Sequence, residues 1–249
     1  MGICFKETPE LFGMLHISAL LVIILFNCGL CFLLKDRKEA QLIRILHRTG
    51  LFMMLAEVFK QWFCYVHVFD KTVNLWFFPW QLCSMAMYCA FAVRYLPERR
   101  QNSFLVFLAS FSLFTDVIAL ILPYDMLRDQ IVLFVHSFAY HGLIISCAII
   151  SLFVLKKRQD IRFLPSIYLF LSMALIAFII NIVSHAILHD IYREPNMFYI
   201  TLSYPTTQPV FHEIALRFSI PVEIFSYLSF IILFSGLLFW IEKRFFLGS

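Results

Sequence analysis

Residues Ile131 to Leu155, IVLFVHSFAYHGLIISCAIISLFVL, form a run of 25 residues without a single Lys, Arg, Asp or Glu. A helix rises about 1.5 Å per residue, so about 20 residues cross the ~30 Å hydrocarbon of a bilayer. This run is long enough to span. Comparable stretches near Met14 to Leu34, Leu51 to Phe69, Leu75 to Tyr95, Phe104 to Leu122, Phe163 to His185 and Val222 to Ile241 bring the number of expected spans to seven. Composition agrees: 61% hydrophobic residues and a mean hydropathy of +0.84 stand well above the roughly 45–50% apolar content of a soluble domain. Hydrocarbon offers backbone N–H and C=O groups no partner, so each span must close its own hydrogen bonds as a helix. Short alternating segments that would build a barrel are not evident. The expectation is an all-α, polytopic seven-helix bundle, one integral membrane domain over residues 1–249.

Lys and Arg set its orientation. Lys35, Arg37, Lys38, Arg44 and Arg48 follow the first span, Arg94, Arg99 and Arg100 the third, Lys156, Lys157, Arg158 and Arg162 the fifth, and Lys243 and Arg244 the last. The alternate loops carry only Lys6, Lys71, Arg128, Arg193 and Arg217. The N-terminus is therefore expected outside and the C-terminus inside. This bias accounts for the net charge of +4, so no nucleic-acid partner is read from it. Met1 to Glu10 is not a basic leader, and the apolar run after it reaches spanning length, so the first helix is expected to stay. Six of the seven cysteines lie in expected spans and Cys4 outside, which argues against a disulfide framework. Cys28 and Cys31 have redox-motif spacing without a neighbouring strand and read as packing residues.

The polar residues within the spans carry the functional signal, because ionisable groups at that depth cost about 2.5–3.5 kcal/mol each and tend to face protein or a wet cavity. Helix two holds Glu57, Lys60, Gln61, Cys64 and His67 in steps of three and four, on one face. Helix four carries Ser112, Thr115 and Asp116, helix six Asn181, Ser184, His185 and His189, and helix seven opens at Glu223, while His16 in helix one reads as packing. In Phe78-Pro79-Trp80-Gln81-Leu82-Cys83-Ser84 a proline is expected to open helix three and to set Cys83 about one turn inside it. There the helix dipole favours a thiolate. Gln81 lies two positions away, about 200° around an ideal helix, so the two serve one site only if the opening turn is distorted. His136 and His141 are separated by about 140° on helix five, which puts one in the site and the other beside it. Given the expected orientation, Lys60, His67, Cys83, Asp116, His136, His141, Asn181, His185 and Glu223 fall in outer halves of their helices and Glu57 near the middle, which points to a polar pocket opening outward. The connection Asp190 to Ile220, with Pro195, Pro205, Pro209 and the aromatic run Asn196-Met197-Phe198-Tyr199-Ile200, reads as a lid or an interfacial segment.

The chain resembles the YwaF-like bacterial integral membrane proteins and their eukaryotic relatives, the transmembrane protein 164 family. Pro79-Trp80-Gln81-Leu82-Cys83-Ser84 is similar to their Pro-x-[His/Gln]-Leu-Cys motif, and His136-Ser137-Phe138-Ala139-Tyr140-His141-Gly142 to their helix-five segment with its recurrent histidine at the position of His141. Asn196-Met197-Phe198-Tyr199 is similar to their Asn-Tyr-Met-Phe segment, with Met in place of Tyr, and His136 is an extra histidine. The resemblance spans roughly helices two to seven. It implies a bacterial cell-membrane protein, and, from relatives described as cysteine-centred acyltransferases of lysophospholipids, a thioester on Cys83 with His141 as base.

Acyl transfer needs a nucleophile, a base and a donor for the developing oxyanion. Gln81 is one expected donor and Asn196 another, if the long loop folds over the pocket. Glu57, Lys60, Asp116 and His136 are expected to orient the histidine or hold the head group. The implied partner is a membrane phospholipid or lysophospholipid, with no metal and no cofactor. Three rivals remain: a transporter or receptor using the polar groups as a relay, a zinc-dependent lipid hydrolase, for which His185 and His189 have the spacing of a metal pair, and bis-histidine haem ligation.

Overall fold

A computed structural model describes residues 4–188 and 195–248. Among them the fold is helical throughout, with no strand beyond one isolated bridge between Cys4 and Gln130. The helices are α1 (Met14–Leu34), α2 (Glu39–Phe63), α3 (Met85–Ala92), α4 (Glu98–Val106), α5 (Leu113–Ile121), α6 (Ile131–Leu155), α7 (Leu164–Leu188), α8 (Pro209–Arg217) and α9 (Ile220–Glu242). A π-helical segment, Phe107–Ser112, joins α4 and α5 into one long helix, and another, Cys64–Val68, extends α2. Six helical stretches among the described residues are long and apolar enough to cross a membrane. The chain is a polytopic helical membrane protein. The expectation of seven spans rests on those six and on α2, which is as long but carries Glu39, Arg44, Arg48, Glu57 and Lys60.

The helix boundaries correct the sequence reading in three places. Helix two begins at Glu39, well before Leu51, because its charged first turns sit beside the polar end of the bundle, where Glu39 Oε1 accepts from Arg158 Nη2 at 2.6 Å. Helix four likewise starts at Glu98. Helix three does not open at Pro79: Leu75–Phe77 form a 3₁₀ turn, Phe78 and Gln81 are extended on either side of a tight turn closed by Trp80 N–H to the Phe78 carbonyl at 2.8 Å, and a second 3₁₀ turn, Leu82–Ser84, leads into α3. Cys83 therefore sits in the first turn itself.

α6 lies at the centre, against α1, α2 and the α4–α5 helix. α2 approaches α3 closely at Gly50, where a Cβ would come within 2.5 Å of the Phe91 backbone nitrogen; small residues serve this purpose at membrane helix crossings. α1 docks on α6 at Gly142, where Asn27 Nδ2 donates to the Gly142 carbonyl at 3.2 Å and Ser146 Oγ to Asn27 Oδ1 at 2.9 Å. His16 acts as the expected packing residue, its Nε2 2.9 Å from the Leu120 carbonyl. Phe111 stacks between Phe163 and Phe170 at centroid distances of 5.3 and 5.0 Å. Outward faces carry large apolar side chains such as Leu25, Phe52, Leu175 and Leu233, as expected where lipid is the solvent.

The expected loop 190–220 is partly structured. Its residues 195–201 fold inward, with Met197 and Phe198 at 0% exposure, so this part covers the bundle rather than lying on a lipid interface. Phe198 and Tyr199 both adopt left-handed backbone with φ of 58°. Such residues cost of order 1–3 kcal/mol and persist only where their surroundings hold them. Asn181 does so by a reciprocal pair of bonds to Met197, at 2.7 and 3.0 Å.

Candidate active site

The turn that carries Cys83 is fixed from outside the helix. The proline removes a backbone donor and biases Phe78 to extended backbone, observed at φ −56° and ψ 134°. Tyr88 donates its hydroxyl to the Pro79 carbonyl at 2.9 Å, and Trp80 Nε1 donates to the Met173 carbonyl on α7 at 3.3 Å. Gln81 stays extended, and the first bond of the turn runs from Ser84 N–H to the Gln81 carbonyl at 2.9 Å. The N–H groups of Leu82 and Cys83 precede that bond, where a helix start leaves its donors without intrahelical partners. Here is the distorted opening that the sequence required for Gln81 and Cys83 to share a site.

Both line a cavity of about 300 Å³. Its polar wall includes Glu57, Lys60, Ser112, Asp116, His136, Tyr140 and His141, and its apolar wall Phe114, Ile118, Leu122, Phe211, Phe230 and Ile231. Ile118 and Leu122 are also exposed on the outer surface of the bundle, so they mark a mouth beside α5. The cavity lies at the end of the bundle away from the basic loops, as the positions of the polar residues suggested.

Cys83 and His141 line this cavity together, the thiol near enough to the imidazole to act on it. His141 Nδ1 lies 2.5 Å from Asp116 Oδ1. With Nδ1 occupied, Nε2 is the ring nitrogen left for the thiol, and the order Cys83–His141–Asp116 is that of a nucleophile, a base and a group orienting the base. His141 and Asp116 are 9% and 3% exposed, so solvent screens their interaction little. The π-helical segment offsets the register of the helix that carries Asp116, turning Ser112 and Asp116 to the cavity while Ser110 Oγ bonds Glu242 Oε2 at 3.1 Å. His136 stands beside this array, as its 140° offset implied: its Nε2 is 3.1 Å from the Ala56 carbonyl, and its ring stacks on Tyr140.

The helix-two stripe faces protein, with Glu57 4% and Cys64 2% exposed. Glu57 Oε1 accepts from Lys60 Nζ at 2.7 Å and from Gln61 Nε2 at 2.8 Å. Gln61 also donates to the Phe77 carbonyl, tying α2 to the segment before Cys83. Two residues serve differently from expectation. Gln81 lines the cavity, but its carboxamide holds the inward loop, donating to the Asn196 carbonyl at 3.3 Å and accepting from Phe198 N–H at 3.2 Å. Asn196 is buried outside the cavity wall and accepts from Thr201 N–H at 3.0 Å.

Of the remaining outer-half residues, His67 is exposed against Trp62 and Phe63, because the π-helical turn breaks the three-four spacing that had placed it on the stripe. His185 is exposed, Asn181 holds Met197, and Glu223 is buried away from the cavity wall. The pairing of His185 with His189 falls on a residue outside those described. Among the described residues no three His, Cys, Asp or Glu side chains form a metal-binding set.

The sequence reading passed over Tyr140, Tyr199 and Asp125. Tyr199 donates to Asp125 Oδ2 at 2.9 Å at the cavity wall. Desolvation first, and the Asp125 carboxylate second, push its phenol well above the ordinary value, so it stays protonated. A signal for Tyr140 was present in its i,i+4 spacing from His136.

No curated protein and no solved structure matches the chain. The family model described as TMEM164 family does, over residues 11–241, taking in α1 as well as the helices that carried the resemblance. The chain thus belongs to the TMEM164 family.

Proposed function

We propose that the protein is a membrane-embedded acyltransferase or acyl hydrolase that acts on a phospholipid or lysophospholipid through a thioester on Cys83. The observation that carries this reading is Cys83 and the Asp116-bonded His141 lining one cavity with an apolar wall. His141 Nε2 takes the thiol proton as Cys83 Sγ attacks the ester carbonyl carbon, and the carbonyl π electrons move to oxygen. Asp116 holds Nδ1–H and stabilises the imidazolium that forms. Collapse of the tetrahedral intermediate breaks the ester C–O bond. The departing alkoxide receives the proton from His141, which leaves an acyl thioester and a lysolipid. An acceptor hydroxyl, from a lysolipid or from water, then gives its proton to His141 and attacks the thioester, and the Cys83 thiolate leaves.

The distribution of Lys and Arg sets this site in the outer half of the bundle, close to the depth of glycerolipid esters at the membrane interface. The chains leave through the mouth beside Ile118 and Leu122, and the Glu57–Lys60 pair is available to a head group. The test is transfer of a labelled acyl chain from phospholipid to lysophospholipid, or its release as fatty acid, by the purified protein in nanodiscs. The reading expects both to vanish in Cys83→Ala. Retention of activity in that variant would leave a relay of Glu57, Lys60 and Asp116 as the better reading.

A further inference from the structure

A buried hydroxyl without a partner costs about 1–3 kcal/mol, and such groups in a native structure call for an explanation. Three unpartnered polar atoms converge on the cavity: Asp116 Oδ2, Ser112 Oγ and the hydroxyl of Tyr140. Asp116 already holds His141, and Ser112 sits one turn before Asp116 on the same helix. Tyr140 is the case that the array does not absorb.

Its side chain is 5% exposed, and its hydroxyl, closed to water, has no hydrogen-bond partner. The other cavity tyrosines differ. Tyr199 is bonded to Asp125 and Tyr124 is exposed, while Tyr227 stands on α9 beside Glu223 and is not left as a buried orphan. Tyr140 lines the same cavity as Cys83 and Glu57. Its ring is held on the far side by His136, stacked at 5.6 Å with an interplanar angle of 20°, and His136 is itself anchored to the Ala56 carbonyl of α2. The ring is thus fixed in the wall that also carries Cys83, and its hydroxyl lacks a partner that a molecule filling the cavity can supply.

Resting on the thioester reading, we propose that the Tyr140 hydroxyl is a catalytic residue that donates a hydrogen bond to the oxyanion formed when Cys83 attacks an ester carbonyl. The N–H of Cys83, at the start of its turn, is the second donor. When Sγ bonds to the carbonyl carbon, the oxygen that gains the electron pair accepts from Tyr140 O–H; no proton is transferred, and the bond is released as the carbonyl re-forms. Preorganised donors of this kind act where charge develops and not on the resting thiol. His136, in this arrangement, is a positioning residue that fixes the phenol ring.

The experiment compares wild type, Tyr140→Phe, Tyr227→Phe and Cys83→Ala in nanodiscs, with steady-state acyl transfer or release as one readout and the rate of Cys83 alkylation by iodoacetamide as the other. Tyr140→Phe removes one unpartnered oxygen and keeps the ring, so its thermal midpoint should equal or exceed that of wild type. Expected is a fall in kcat of about 100-fold, with KM and the alkylation rate each within about twofold of wild type, since loss of one oxyanion donor costs about 10²–10³-fold. Activity in Tyr140→Phe within about threefold of wild type would overturn the assignment, as would a parallel loss of alkylation or a larger loss in Tyr227→Phe than in Tyr140→Phe. Activity surviving in Cys83→Ala would instead remove the thioester reading on which the assignment stands, so the two failures are told apart.

Discussion

The Arg158 cluster at the basic end of the bundle and the Cys83 cavity at the other use similar polar side chains to opposite ends. Arg158 engages all three of its guanidinium nitrogens: Nε and Nη2 donate to Glu39 Oε1 at 3.0 and 2.6 Å, Nη2 also to Gln101 Oε1 at 2.6 Å, and Nη1 to Asn102 Oδ1 at 2.7 Å. It clasps the loop after α6 to α2 and α4. At the cavity, His141 and Asp116 bond each other, yet Asp116 Oδ2, Ser112 Oγ and the Tyr140 hydroxyl have no partner. A saturated network adds rigidity, whereas an incomplete one keeps capacity for a ligand at some expense in stability. Helix geometry follows the same division: α6 is regular over its length, whereas the segments bearing Cys83, Asp116 and Tyr199 are a 3₁₀ turn, a helix offset by a π-helical segment, and a stretch of left-handed backbone.

Substitutions at the two ends should therefore separate activity from stability. The largest effect is expected at the array: Cys83→Ala and His141→Ala each lower acyl transfer or hydrolysis by about 10⁴-fold or more, as nucleophile and base act as a unit. The thermal unfolding midpoint should stay close to wild type in Cys83→Ala and fall in His141→Ala, which leaves the buried Asp116 without its partner. Cys64→Ala, Cys89→Ala and Cys147→Ala, at buried positions, are expected to retain activity. Next comes Asp116→Asn, which leaves the His141 tautomer unfixed and lowers kcat by about 10³-fold; the rate of Cys83 alkylation should fall with it. Arg158→Ala sharpens the comparison from the other side. It should destabilise the fold by about 2–4 kcal/mol, because Glu39 and the two amides lose a shared partner, while turnover per folded molecule at low temperature stays as in wild type. The smallest effect is expected for Gln81→Ala, which frees the inward loop at a cost of about 1–2 kcal/mol. Hydrogen exchange at Phe198 N–H should quicken while the α6 amides stay protected.

The long apolar helices were legible because a span is written locally, in length and composition. Ile131 and Leu155 are the observed ends of α6, and Met14 and Leu34 those of α1. The start of α2 was not, since its first turns are charged and meet Arg158 from a loop more than a hundred positions away. Nor was the break at Pro79. The proline can open a helix, and what holds its segment outside one instead are the bond from Tyr88 to the Pro79 carbonyl and that from Trp80 to α7. Within the site, the chemistry-bearing residue types showed in the sequence as polar exceptions in apolar runs. Their partnerships did not: Asp116 meets His141 only because α5 packs on α6. Tyr140 escaped notice because an aromatic side chain beside a histidine reads as packing until its hydroxyl is found without a partner.

The central claim is tested most directly by the intact mass of the purified protein after brief incubation with a phospholipid of defined acyl chains. The account predicts a mass increase of one fatty acyl group, located on Cys83, removed by neutral hydroxylamine and absent from Cys83→Ala. Acyl transfer or release proceeding without such an adduct, or an adduct of the same size persisting in Cys83→Ala, would contradict it.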